Sequence, residues 1–327
     1  MKIMKFLSLD SIIATTLVFF ILIFFPIIFD FDFLDPIQNT IQDLDVTDIV
    51  FSKIRDESNV PFDSTIILVN IAPTRKDIAR QIENINKFHP AVVGFDSFFR
   101  ALKGKELDNA IELAFSKIKN LVLVSQLIYN KSTKEFDTLL TSHKRFNQYA
   151  KTGFANFVLS EEQFRTVRTF SVKESYKDSI EYSFPAQISK IYSPEKFEKF
   201  IQRKIDNEII NFKRNISKYK TIDYLQSLDS TADFSFVKDK IVLFGFLGPD
   251  IKTLSSEDIF FTPMNIQYVG KSYPDMYGVV VHANIISMIM EEDFINTVPE
   301  WISITLLILI IYSLMSQIGR ASCRERV

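Results

Sequence analysis

Two apolar runs bracket this chain. Residues 12–29 form the first and residues 301–315 the second, with a long stretch of mixed polarity between them. A helix needs about 17 to 25 apolar residues to cross a bilayer core, so the first run is long enough to span and the second nearly so. The stretch between them is therefore expected to be held against a membrane at both ends. Lys2 and Lys5 precede the first run, while Asp30, Asp32, Asp35, Asp43 and Asp45 follow it. Lysines close to a span stay on the cytoplasmic side, which places the middle of the chain outside. The expected order is a cytoplasmic segment 1–9, a transmembrane helix 10–29, an extracytoplasmic domain 30–298 and the start of a second transmembrane helix, 299–317. Phe25-Pro26-Ile27-Ile28-Phe29 is too bulky for a signal-cleavage site, so the first run reads as an uncleaved anchor.

Inside the bracket the apolar period switches repeatedly. Residues 48–54 and 65–71 read as strands, and Ile78, Ile82, Ile85 and Phe88 recur at helical spacing. Residues 90–96 then form a short buried strand that ends in Asp96, residues 107–118 an amphipathic helix, and residues 120–125 another buried strand. Strands separated by helical stretches imply parallel crossovers. Further on, residues 149–159 and 166–173 read as a β pair, and residues 180–191 as a helix. Residues 194–219 read as a long helix whose lysines form a solvated face, with contact to anionic lipid headgroups as the alternative. Residues 240–246 are a last buried strand, and a short β segment near residue 278 leads into a helix beginning near His282. The expected fold is α/β: an extracytoplasmic mixed sheet with helices on both faces, flanked by transmembrane helices.

The tail sits apart from this pattern. Residues 318–327, Ile-Gly-Arg-Ala-Ser-Cys-Arg-Glu-Arg-Val, read like a translated sequencing adapter, and the natural chain is expected to continue differently. Cys323, the single cysteine, falls inside that tail, so no disulfide and no cysteine-ligated metal is expected. With 47% hydrophobic and 24% charged residues the domain can bury a full core, and a net charge of −2 argues against a nucleic-acid partner. The sequence offers no His-x-x-x-His pair and no Gly-x-Ser-x-Gly elbow, and Gly245-Phe246-Leu247-Gly248 lacks the lysine of a phosphate loop. No catalytic activity, cofactor or metal is expected.

Several blocks together resemble a known family. They are Val93-Gly94-Phe95-Asp96, Asp108, Gly153-Phe154-Ala155-Asn156 followed by Val167-Arg168, Lys240-Ile241-Val242-Leu243-Phe244-Gly245, Thr262-Pro263, and Tyr277-Gly278-Val279-Val280-Val281-His282-Ala283-Asn284. In this order they resemble the type-two CHASE domain, the cyclase and histidine kinase associated sensory extracellular domain, over residues 45–297. The last block is the most specific. Residues 71–77, Ile-Ala-Pro-Thr-Arg-Lys-Asp, stand where the family often carries an acidic-Ser element and a Trp-Pro-Trp-x-Arg run. The resemblance implies a bacterial inner-membrane signalling receptor whose outer domain senses a small molecule, peptide or envelope partner; a homodimer formed through the membrane helices is the expected means of transmission. An envelope scaffold without signalling output is the alternative.

The candidate ligand-facing residues follow from the fold class. Ligands of open α/β sheets sit outside the carboxyl ends of the strands. Asp96 ends one such strand; Asp250 and Asp258 follow another; His282 and Asn284 stand at the junction of the last helix. Competing roles are structural: Asp96 as a cap, Gly245 and Gly248 as turn residues, His282 and Asn284 as partners of buried backbone.

Overall fold

The computed structural model describes residues 9–28, 46–157, 166–249, 258–265 and 273–324. The chain divides into two compact units, residues 1–41 with 296–327, and residues 42–295.

The first unit holds two apolar helices that pack on each other, α1 (Leu9–Ile28) and a C-terminal helix (Glu300–Arg324). Of these, Glu300–Ile318 is long and apolar enough to cross a membrane by length and composition. The helix does not break at residue 317, where the charged tail begins, but runs on to Arg324.

The second unit begins with α2 (Val46–Ile49), which widens into one looser helical turn, Val50–Ile54. This replaces the strand expected at residues 48–54. Phe51 is the buried residue of the turn, and Asp48 is held by a two-pronged pair with Arg168, Nε to Oδ1 at 3.0 Å and Nη2 to Oδ2 at 2.6 Å. One inward residue per turn suits a short helix, whatever the β propensity of Ile49 and Val50.

Next comes the α/β layer: β1 (Asp63–Asn70), α3 (Arg75–Asn86), β2 (Val92–Phe95), α4 (Lys105–Ser116) and β3 (Leu121–Asn130). Thr74 caps α3 by accepting from the Asp77 amide, so the helix starts where the sequence offers a short hydroxyl. β4 (Glu135–Leu140) turns back on β3 as a hairpin, and after α5 (Lys144–Asn147) β5 (Lys151–Phe154) joins β3 in parallel. The middle of the chain is irregular: β6 (Thr169–Ser171), β7 (Lys173–Tyr176), β8 (Ser179–Tyr182), α6 (Phe184–Tyr192), α7 (Pro194–Ile201) and β9 (Asn207–Ile209). The expected pairing of residues 149–159 with 166–173 is not found among the described residues, since β5 joins the main sheet and β6 pairs with β9. The long lysine-faced helix is also corrected. Its first eight residues are helical, and after them Lys204 takes a left-handed backbone at φ 55° that ends the element.

The sheet is completed by β10 (Tyr219–Ile222), α8 (Tyr224–Ser227) and β11 (Ile241–Gly245). A small ribbon of β12 (Ile259–Phe260) and β13 (Met276–Tyr277) then delivers the chain into α9 (Gly278–Glu291), which starts four residues before His282. The C-terminal helix above is α10.

The main sheet has seven strands, in the order β10-β1-β11-β2-β3-β4 with β5 also on β3; all its pairs are parallel except β3 with β4. The fold is thus α/β with a mixed sheet and helices on both faces. On one face α3 and α4 cover Val69, Val93, Phe95, Val242 and Phe244; on the other α6, α7 and α9 cover Leu68, Val92, Val122 and Leu243.

Two substitutions test this arrangement. Val93 and Val242 lie opposite each other in neighbouring strands and are buried. An aspartate at either site buries an unpaired charge at a cost of several kcal/mol, and loss of folded full-length protein is expected. A Cβ on Gly245 would stand 2.5 Å from Cβ of Val279, so Gly245→Ala is expected to cost about 1–3 kcal/mol by overpacking, read from its melting temperature. Wild-type melting of all three variants would contradict the strand order.

Candidate sensory site at the carboxyl edge

The carboxyl ends of β1, β11 and β2 are finished by polar residues that follow apolar runs. Asn70 ends β1 and is fully buried; its Oδ1 accepts from the Leu247 amide at 3.0 Å and its Nδ2 donates to the Gly248 carbonyl at 3.1 Å. Gln81 of α3 accepts from the Ala72 amide and donates to the Asn70 carbonyl, both at 2.9 Å. The loops after β1 and β11 are therefore pinned to each other. Gly248 sits at φ 98°, a backbone that side chains rarely adopt, which is why glycine closes this turn.

Asp96 follows β2 and extends its ladder by one bond, its amide donating to the Phe244 carbonyl at 2.8 Å. Side chains alternate across a strand. Phe95 stacks on Phe244 at 4.4 Å on one face, so Asp96 points to the other, the side of Gly94, Gly245 and α9. The contact of Gly245 with Val279 brings the amino end of α9 against these strand ends.

Asp258 arrives there from the β12 side. The Gly278 amide donates to its main-chain carbonyl at 3.0 Å, and a Cβ on Gly278 would stand 3.3 Å from each of its carboxylate oxygens. Its backbone is left-handed at φ 52°, a conformation that aspartate tolerates better than most side chains. The two carboxyls share one environment. Burial, and then the charge of Asp258, push Asp96 up to about 8, while burial pushes Asp258 up to about 6. Asp96 is half-buried and Asp258 is exposed.

His282 lies one turn into α9. Its ring stacks on Phe157 at 4.7 Å and meets Phe184 edge-on at 5.1 Å, and Phe157 also packs against Phe260 at 5.0 Å. Nδ1 is buried without a partner, and burial lowers the imidazole to about 3, so it is neutral at physiological pH. Asp96 and Asp258 thus come together where α9 meets the strand ends, Asp258 open to solvent, while His282, one turn along the helix, is enclosed by aromatic rings.

Asn284 has a different occupation. Its Oδ1 accepts from the Lys213 and Arg214 amides at 3.1 and 3.0 Å, and its Nδ2 donates to the Arg214 and Val280 carbonyls at 2.8 and 3.0 Å. Both donors and both acceptor positions are spent on main chain. Asp250 lies outside the described residues. No group of three or more His, Cys, Asp or Glu with metal-holding geometry occurs among the described residues.

Sequence reasoning passed over the support of this edge. Arg75 and Asp108 form a buried ion pair, Asp108 also accepting from the Lys103 and Gly104 amides at 3.1 Å, and Arg75 lying 5.3 Å over the Phe146 ring. The pair fastens the loop that leaves Asp96. Asn70 carried the signal that singled out Asp96, a polar residue closing a buried apolar run, and was readable by the same rule.

The domain is α/β with two neighbouring carboxyls, Asp96 and Asp258, at the carboxyl edge of its sheet. The chain matches the CHASE2 domain family over residues 14–316 and belongs to that family of extracellular sensory domains. No curated protein and no solved structure matches it.

The carboxyl pair sets a pH dependence. An unfolded aspartate titrates near 3.8, well below the folded values of Asp96 and Asp258. Over that interval the unfolded chain releases protons that the folded protein keeps, so stability falls as pH rises. His282 acts in the opposite sense, costing stability as pH falls below its ordinary 6.5 toward its folded value near 3. Between pH 6.5 and 8 Asp96 is the group of this cluster that matters. The melting temperature of the full chain is expected to decline across that window, and Asp96→Asn to flatten the decline. Equal slopes in variant and wild type would refute the sunken carboxyl.

Proposed function

We propose that this chain is the extracytoplasmic sensing part of a bacterial inner-membrane receptor, with the cluster of Asp96, Asp258 and His282 as the centre that reads the signal. The observation that carries the reading is the CHASE2 family match over residues 14–316, a span that takes in most of both apolar helices as well as the domain that joins them. A 20-residue helix such as α1 is about 30 Å long, the thickness of a bilayer core. Leu17, Phe20 and Ile21 of α1, and Trp301, Ile304 and Leu309 of α10, are exposed, and water is a poor cover for so much apolar surface. Among the described side chains of the two helices, the buried ones are Ser11, Thr15 and Ser316, small hydroxyl residues of the kind that let membrane helices approach closely.

In this reading the outer domain has two states that bind a signal molecule unequally, and the signal shifts the balance by that difference. The change passes along the chain from α9 to α10. A ligand at the carboxyl edge replaces the charge of Asp258 as the neighbour of Asp96 and fixes the protonation of the pair. The receptor acts as a dimer through its membrane helices and performs no catalysis itself.

A reporter inserted into the exposed β3–β4 turn, residues 131–134, tests the topology. It is expected to be active on the extracytoplasmic side. Activity in the cytoplasm would overturn the proposal. With the chain fused to a histidine-kinase output, Asp96→Asn is expected to lock the output at one level while the protein stays folded. Unchanged regulation in that variant would remove the carboxyl pair from the mechanism.

A further inference from the structure

The opposite edge of the same domain carries a recess of about 300 Å³ that the reading above does not use. Asp63 at the start of β1, Tyr192 and Ser193 between α6 and α7, Lys196, Arg214 and Glu291 line it. Its central group is the Arg214 guanidinium, whose side chain is 2% exposed. Nε donates to the Pro61 carbonyl at 3.0 Å and Nη2 to Oε1 of Glu291 at 2.5 Å. Nη1 is buried with no hydrogen-bond acceptor. The nearby anion is Oδ2 of Asp63 at 3.8 Å, beyond hydrogen-bonding reach.

The surrounding carboxylates are already engaged. Asp63 accepts from the Thr65 and Ile66 amides at 2.7 and 3.0 Å through Oδ1, and from the Ser287 hydroxyl at 2.5 Å through Oδ2. Glu291 divides itself between Arg214 and Lys213, the latter at 2.7 Å. What stays uncommitted is positive. The two N–H groups of Arg214 Nη1 have no acceptor, and a buried donor left unmade is costly. Lys196 spends a single bond of its ammonium on the Met290 carbonyl. The amino end of α7 adds its partial positive charge, with Ser193 as the cap residue whose side chain makes no capping bond.

We propose that this recess binds a small organic carboxylate, whose oxygens take the unpartnered N–H groups of Arg214 Nη1 and the Lys196 ammonium. Guanidinium is suited to carboxylate by its planar, paired donors. A monoanion fits better than a phosphate dianion, because Asp63 and Glu291 stand beside the same guanidinium and repel extra negative charge. Glu291 is the last residue of α9, so the ligand is gripped where the chain leaves the domain toward α10. The site is separate from the carboxyl-edge cluster, and rests on the receptor reading for any signalling meaning but not for binding.

The test is thermal melting and calorimetry of the full chain in detergent, with sodium lactate, pyruvate and benzoate against the neutral lactamide and benzamide at matched ionic strength. A saturable rise in melting temperature is expected with a carboxylate and not with its amide, since a ligand of the native state stabilises by mass action. Lys196→Met is expected to melt like wild type without ligand and to bind about tenfold more weakly, the size of one charge-assisted hydrogen bond. Arg214→Lys, which keeps the charge and loses the paired donors, is expected to weaken binding further. Equal shifts with acid and amide, a preference for inorganic phosphate, wild-type affinity in Lys196→Met, or no saturable shift with any of the three acids would each overturn the proposal. Because the measurement reads binding alone, its failure leaves the membrane topology and the signalling output untouched.

Discussion

A helix buried on every side cannot turn its polar groups to water, and each of them must find a partner in the protein. α9 is such a helix, with every residue from Gly278 to Met290 buried. Its demands organise the domain. Asn284 draws residues 213 and 214 against the helix, Ser287 donates to Asp63 and meets the Tyr219 hydroxyl at 3.3 Å, and His282 is received by aromatic rings instead of polar partners. The segment that carries Arg214 and the first residue of the central strand are thereby set by one element.

The same helix, about 21 Å long at 1.5 Å per residue, joins the two edges of the sheet. Its amino end lies against Gly245 and beside Asp258, and its carboxyl end carries Glu291 into the pair with Arg214. Around both edges the supporting polar groups are fixed. Asn70, Gln81 and the Arg75–Asp108 pair hold the loops of the carboxyl edge, while the Asp63 carboxylate and its donors hold the amino edge. Rigid support of this kind keeps the Asp96 and Asp258 carboxyls close enough to feel each other's charge.

The parts of the fold that were legible in sequence are those where burial on two faces makes a continuous apolar run: residues 65–70, 92–95, 121–125 and 241–245. Their helices were readable by the period of Ile78, Ile82 and Ile85 and by the amphipathic pattern of residues 107–118, in which Ala114 and Phe115 are buried as that pattern suggests while Leu113 is exposed. β10 was not, because Tyr219–Ile222 is a four-residue edge strand whose two buried residues are separated by Lys220 and Thr221, and such a strand has no run to display. Residues 48–54 misled because β-branched residues sit where tertiary contacts at Phe51 and Asp48 decide the conformation. Of the site, Asp96 and Asp258 were brought together as the edge rule suggests, whereas Arg214 lay hidden among lysines that read as a solvated face. Its burial depends on Glu291 and Pro61, remote in sequence, and no local pattern reports such partners.

The strand order carries a consequence for how the chain comes to be folded. β1 is flanked by β10 and β11, so its two neighbours are residues 219–222 and 241–245, made long after residue 70. As the polypeptide emerges in order, the Ile-Ile-Leu-Val centre of β1 waits with both edges open through most of the domain's synthesis, while β2, β3, β4 and β5 can already assemble among themselves. Such late, non-local closure slows folding and exposes strand edges to wrong partners. A chain halted before residue 241 leaves the β11 edge of β1 unpaired, which makes the half-made domain the form most exposed to aggregation and to proteolytic quality control.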